Sequence, residues 1–233
     1  MLVLVSPTKT QKTYPGESLN DSPFKHIQSE ILDVLQSYSY DQLKSNMKIS
    51  DKLTEALHNN LQNFKEENIA VHTYQGASFR PLQLDLWDRS YAQDHFAILS
   101  ALYGLVKPYQ AIGLYRLDFL VKFDLKLYDV WKDHITQYLN ACNKTIISLA
   151  SQEYEGMINI NQLTVPFIRL DFKEAVGDQF IAKSTYAKTA RGNAANTIII
   201  NKIQTTNELK EMSFDGYTFN PDLSSETEFI YTR

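Results

Sequence analysis

The amino-acid sequence predicts an α+β or irregular α/β fold: a single domain over residues 1–233 with a mixed β-sheet. Three observations carry the fold class. Segments with helical apolar spacing are interleaved with short β-branched or wholly apolar runs, without regular βαβ alternation. Hydrophobic residues make up 43% and charged residues 21% of the chain, a globular composition that excludes a disordered or fibrous protein. The 233 residues suit one large core and contain no repeat at a solenoid period.

Taken in order, Leu2–Val5 is wholly apolar and suits a buried strand. Residues 6–22, rich in Ser, Thr, Pro, Gly and Asn, read as a long loop. Phe24, Ile27, Ile31, Leu32 and Leu35 recur at helical spacing, which predicts an amphipathic helix over 23–38. Ser50-Asp51 opens a second helix with Leu53, Leu57, Leu61 and Phe64. Residues 69–74 read as a strand. A helix is expected over 88–103, ending at Gly104 and Pro108. Residues 127–141 form another helix, 145–149 a buried strand, and 164–172 with 179–184 a hairpin around Val176-Gly177-Asp178. Residues 186–202 return to helix, and short strands are expected around Gly216-Tyr217 and Glu228–Tyr231.

The lone cysteine, Cys142, excludes an internal disulfide and a multi-cysteine zinc site. No apolar run reaches the roughly 18 residues needed to cross a bilayer. The apolar start has no basic leader and is too short for a signal peptide, so a cytoplasmic protein with no membrane partner is expected. The common catalytic motifs are missing, and none of the five histidines lies three or four residues from another. Hence no catalytic residue, no metal ligand and no cofactor is expected.

The net charge is −4, yet residues 101–126 and 161–202 are basic. If folding brings these segments together, they form a positive patch with an acidic rim. Three stretches within or near them suit anions. Ser6-Pro-Thr-Lys9-Thr10 leaves the first strand, where ligand crevices form. Tyr103-Gly104-Leu105, followed by Lys107, is similar to the hairpin of a helix-hairpin-helix element, in which glycine lets backbone amides reach a DNA phosphate. The same pattern suits an ordinary glycine cap and proline stop. Lys183, Tyr186, Lys188 and Arg191 cluster where a strand meets a helix start, a place suited to phosphate.

Together, Met1–Thr10, Ser50–Leu53, Leu99–Pro108, Leu114–Leu117, Leu127–Thr136, Ile147–Tyr154, Tyr186–Gly192 and Gly216-Tyr217 make a colinear set that resembles the YaaA family of peroxide stress resistance proteins. The resemblance implies a cytosolic bacterial protein that limits peroxide damage by lowering available iron, and an α+β fold: a single compact domain, its mixed β-sheet surrounded by helices, with a helix-hairpin-helix-like element and a positive cleft that binds DNA. It brings no cofactor and no established reaction. Gly76-Ala-Ser-Phe-Arg-Pro-Leu82 departs from the family's Gly-Asp-Val-Tyr-x-Gly-Leu, and Lys188-Thr189 replaces its Lys-Lys pair, so the cleft here is expected to be less basic.

The expected partner is therefore double-stranded or structured DNA, bound by a monomer mainly through its backbone. Lys9, Gly104, Lys107, Arg116, Lys183, Lys188 and Arg191 would bind phosphates, and Tyr115 and Tyr186 would stack on bases. The alternative is an enzyme acting on a nucleotide or damaged nucleobase in the same cleft, with Glu153 or Asp118 as its acid or base.

Overall fold

The computed structural model describes residues 1–233. Leu2–Val5 is the central strand of a nine-stranded mixed sheet. It pairs in parallel with Phe96–Ser100 on one side and Ile146–Leu149 on the other. Phe167–Val176 and then Glu228–Thr232 continue the parallel run. Tyr217–Phe219 and Ser213–Phe214 close one edge antiparallel, Gly104–Val106 closes the other, and Gln179–Ile181 turns back on Phe167–Val176. Strands buried on both faces need no polar alternation, which is why Leu2–Val5 could be wholly apolar.

Nine α-helices surround the sheet. Lys25–Ser37 turns Ile27, Ile31 and Leu35 inward, and Asp51–Gln62 buries Leu57 and Leu61. Leu127–Cys142 buries Leu127, Trp131, Ile135 and Leu139, the i, i+4 stripe its sequence shows. Ser184–Ile200 packs Ala190, Ala194, Ala195, Ile198 and Ile199 inward, its small residues allowing close approach to the sheet and nearby loops. One cluster of 60 buried hydrophobic residues runs through the whole chain. No helix is long and apolar enough to cross a membrane.

Three segments differ from the sequence reading. Tyr40–Met47 is a helix closed by a Ser39–Gln42 capping box. Residues 69–74 hold a single helical turn, Ala70–Thr73, between two-residue strands. The third difference bears on function. The helix expected over 88–103 stops at His95, and Phe96–Ser100 and Gly104–Val106 form a β-hairpin. This hairpin replaces the expected helix-hairpin-helix element. The physical reason is the run Phe96-Ala-Ile-Leu99, every residue of which is fully buried. A helix has one buried stripe, whereas a strand inside the sheet has two buried faces.

Gly104 consequently faces the core rather than a ligand. It is buried at φ +73°, and a Cβ there would lie 2.5 Å from the Trp131 ring. Trp131 is itself fixed, its indole N–H donating to the Ala101 carbonyl at 2.8 Å. Gly104→Ala is therefore expected to destabilise the fold by about 3 kcal/mol, combining left-handed backbone strain with overpacking. Urea unfolding measures this; an unchanged midpoint would show that the ring yields freely.

Candidate functional site

The central parallel strands end together, and the loops that leave them gather polar side chains. After Val5, the Ser6 hydroxyl accepts the Ser151 amide at 2.8 Å, joining the first loop to the one that follows Leu149. Lys9 forms an ion pair with Asp118 at 2.6 Å. Asp118 is 3% exposed and also accepts the Leu120 amide at 3.0 Å. Glu153, on the short helix Gln152–Glu155, accepts the Phe119 amide at 3.2 Å. Burial and then the nearby Asp118 charge push the Glu153 carboxyl above its ordinary pKa, opposed by the Phe119 amide and Lys9.

Lys9, Thr10, Gln11, Tyr115 and Arg116 line a 280 Å³ cavity whose far wall is the Leu53–Asn60 stretch of helix Asp51–Gln62. The Gln11 carbonyl accepts the Tyr115 amide at 2.9 Å and holds this edge in place. Tyr115, expected to stack on a base, is instead 6% exposed. Its hydroxyl sits 2.7 Å from those of both Tyr74 and Ser100. Burial raises its pKa to about 12, partly offset by the Ser100 and Tyr74 hydrogen bonds. That ring braces the cavity wall and is not free to stack.

A second network lies beside the first. Glu155, 4% exposed, accepts the Ser148 hydroxyl at 2.5 Å and two guanidinium nitrogens of Arg169, the shortest at 2.6 Å. Ser148 and Arg169 are register partners on adjacent parallel strands, so the sheet itself sets this geometry. Arg191 turns toward the same region. Its Nε is buried without a hydrogen-bond partner, and its charge is felt by Asp171 and Glu155. Burial lowers the Arg191 pKa first, with those carboxylates opposing. Arg191 thus turns inward from its helix.

Lys183 and Lys188 stay exposed at the start of helix Ser184–Ile200, at the far end of the Phe167–Val176 strand, since Ile181 pairs with Glu174. No side chain caps this helix and no acid occupies its first turn. Tyr186 is 47% exposed, with Lys183 Nζ at 5.8 Å and the Arg233 guanidinium at 5.5 Å from its ring centre. Glu174 and Asp215 hold Arg233 in place.

Lys107 is elsewhere. Gly104–Val106 runs antiparallel to Phe96–Ser100, so Lys107 falls at the opposite end of the sheet, near Asp94, Cys142 and Lys144. Burial lowers its pKa there. The nine residues expected to share one anion-binding groove therefore divide. Lys9, Tyr115 and Arg116 meet at one cavity, Lys183, Tyr186 and Lys188 share one helix start, and Gly104, Lys107 and Arg191 stand apart from both. The Ser148–Glu155–Arg169 network was not anticipated. Its signal lay in the register of two strands, which spacing within one segment does not carry.

Comparison with known proteins completes the picture. The family described as peroxide stress protein YaaA matches residues 1–223. A UPF0246 protein of Francisella tularensis subsp. tularensis (strain WY96-3418) is 35% identical over a gapped alignment 254 positions long that covers 100% of both chains. A UPF0246 protein of Rickettsia felis is 34% identical over 250 positions with the same coverage. A family match over nearly the whole chain and full-length identity above 30% carry the conclusion: this chain belongs to the peroxide stress protein YaaA family.

Proposed function

We propose that the protein serves the peroxide stress response by binding DNA through backbone phosphates, at the surface around the start of helix Ser184–Ile200. The single observation behind this reading is the combination there of an uncapped helix start, exposed Lys183 and Lys188, and a half-exposed Tyr186. Free helix-start amides and cations suit phosphate, and a tyrosine ring accepts any base face. The Lys9–Arg116 cavity, at the same end of the sheet, extends the reading to a second phosphate position. Limitation of intracellular iron is proposed as a consequence of that binding.

Salt dependence tests the mechanism. With Lys9, Arg116, Lys183 and Lys188 each neutralising one phosphate, log K for duplex DNA falls against log salt with a slope of about −3.6. Fluorescence anisotropy between low and physiological salt measures it, and a flat dependence would reject backbone binding.

The alternative, an enzyme processing a nucleotide or damaged base, gains less from the geometry. Lys9, rather than Asp118 or Glu153, lines the cavity beside Arg116. Glu153 instead gives the cavity a pH response. Glu153 carries a raised pKa in the folded protein, so it takes up a proton as pH falls toward that value, while still above the ordinary carboxylate range. Losing this negative charge near Lys9 makes the region more positive, and affinity for an anion in the cavity rises as pH falls. Inorganic sulfate, whose charge stays fixed over this range, is expected to show this rise in calorimetry across mildly acidic pH, and Glu153→Gln is expected to flatten it. An equal rise in the variant would assign the effect to another group.

A further inference from the structure

A larger cavity of 540 Å³ lies apart from both of these regions, between the loop around Tyr14, the turn at Ile69–His72 and the segment Leu84–Arg89. That volume is within the usual range for small-molecule sites. Its floor includes Trp87 at 5% and Tyr109 at 3% exposure. The Tyr109 hydroxyl is buried and has no hydrogen-bond partner anywhere in the protein. That hydroxyl is closed off from the cavity, so Tyr109 contributes a packed aromatic floor rather than a polar contact.

The rim narrows the class of ligand. Tyr14 stacks on His72 with ring centres 4.1 Å apart, and Tyr14 is 42% exposed, leaving aromatic surface open to a further flat ring. Burial, then Arg89 and Lys12, hold the His72 pKa below its ordinary value, which keeps the stacked imidazole neutral near pH 7. Arg89 lies over the Tyr109 ring, 4.7 Å from its centre, and so roofs the aromatic floor. Glu17 and Asp85 also line the cavity. Two carboxylates against one guanidinium disfavour an anion and offer acceptors to N–H donors.

We infer that this cavity binds a neutral, planar, N–H-bearing heterocycle of the purine nucleobase class, guanine in particular, stacked against the Tyr14–His72 pair, with its adjacent N–H donors facing the Glu17 and Asp85 carboxylates. The base has two possible sources: a free nucleoside, or a base presented by single-stranded nucleic acid. The inference is independent of phosphate binding at the helix start, because none of the cations invoked there lines this cavity.

Trp87 in the floor provides the readout. Guanosine, adenosine and cytidine are titrated into the full-length protein alongside a short guanine-containing DNA single strand, following tryptophan fluorescence. Saturable change with guanosine supports the inference with a free nucleoside as source. A response to the single strand alone supports it with nucleic acid as source. No response to any of them overturns it. Two variants separate binding from folding. Tyr14→Ala alters a half-exposed ring and is expected to lower affinity about tenfold. Glu17→Ala with Asp85→Ala removes two exposed carboxylates, so it is expected to leave the melting temperature nearly unchanged while lowering affinity about tenfold. Guanosine binding unchanged by that pair would overturn the role given to the carboxylates, and binding unchanged by Tyr14→Ala would overturn the stacking geometry.

Discussion

Replacing Arg169 with alanine is expected to lower the unfolding free energy by about 3–5 kcal/mol, the range for breaking a buried ion pair from one side. The cost comes less from the lost attraction than from what stays behind. Glu155 is 4% exposed, and without the guanidinium its carboxylate keeps only the Ser148 hydroxyl. Glu228, whose oxygen is 3.9 Å from the Arg169 guanidinium, adds a second negative charge to the orphaned site. Arg169→Lys should rescue little, because Nε and Nη2 contact Glu155 together and an ammonium cannot span both oxygens. A paired change, Arg169→Met with Glu155→Gln, removes both charges and should recover most of the loss. Urea midpoints for the three proteins test this; a single-variant loss below about 1 kcal/mol would mean that water already solvates the pair.

The functional side of this network is positional. Glu155 closes the helix Gln152–Glu155, which also carries Glu153 beside Asp118 and Lys9. Arg169 thereby anchors, through one carboxylate, the segment that holds the other. An Arg169→Ala protein that remains folded at low temperature should lose the pH response of sulfate binding assigned to Glu153.

How much of this could be read in the sequence depends on where each signal resides. Helices with a single buried stripe were legible: Ile27, Ile31 and Leu35, or Leu127, Trp131, Ile135 and Leu139, declare their face by spacing alone. The Val176-Gly177-Asp178 turn was legible too, since Gly177 takes φ +59° between antiparallel partners. The sheet interior was less so. Phe96–Leu99 has apolar side chains on both faces, and a run apolar all round looks alike as strand or buried helix. That ambiguity put Gly104 and Lys107 in a helical hairpin where the structure has a β-hairpin. Which of the expected site residues lie together follows the same rule. Lys183, Tyr186 and Lys188 are local to one helix start and stayed together, whereas Lys107 depended on the direction of a strand that only tertiary pairing decides.

That division gives the second large expected effect. A triple variant, Lys183→Ala with Tyr186→Ala and Lys188→Ala, should lose about 100-fold or more in affinity for DNA carrying a single-stranded overhang. Stacking on one tyrosine contributes about 1–3 kcal/mol, and each lost phosphate contact should also flatten the salt slope by about 0.9 on duplex DNA. All three side chains are exposed, so the fold should be little changed and the melting temperature serves as the control. Tyr186→Phe alone should bind like the parent protein, because stacking needs the ring and not the hydroxyl. Lys107→Ala is the decisive comparison. Like Lys183→Ala or Lys188→Ala made singly, it removes one positive charge, yet from the opposite end of the sheet, so affinity and salt slope should stay where they were. A loss at Lys107 equal to that at Lys183 would show that DNA follows another path over the surface, and the helix start would no longer be its docking place.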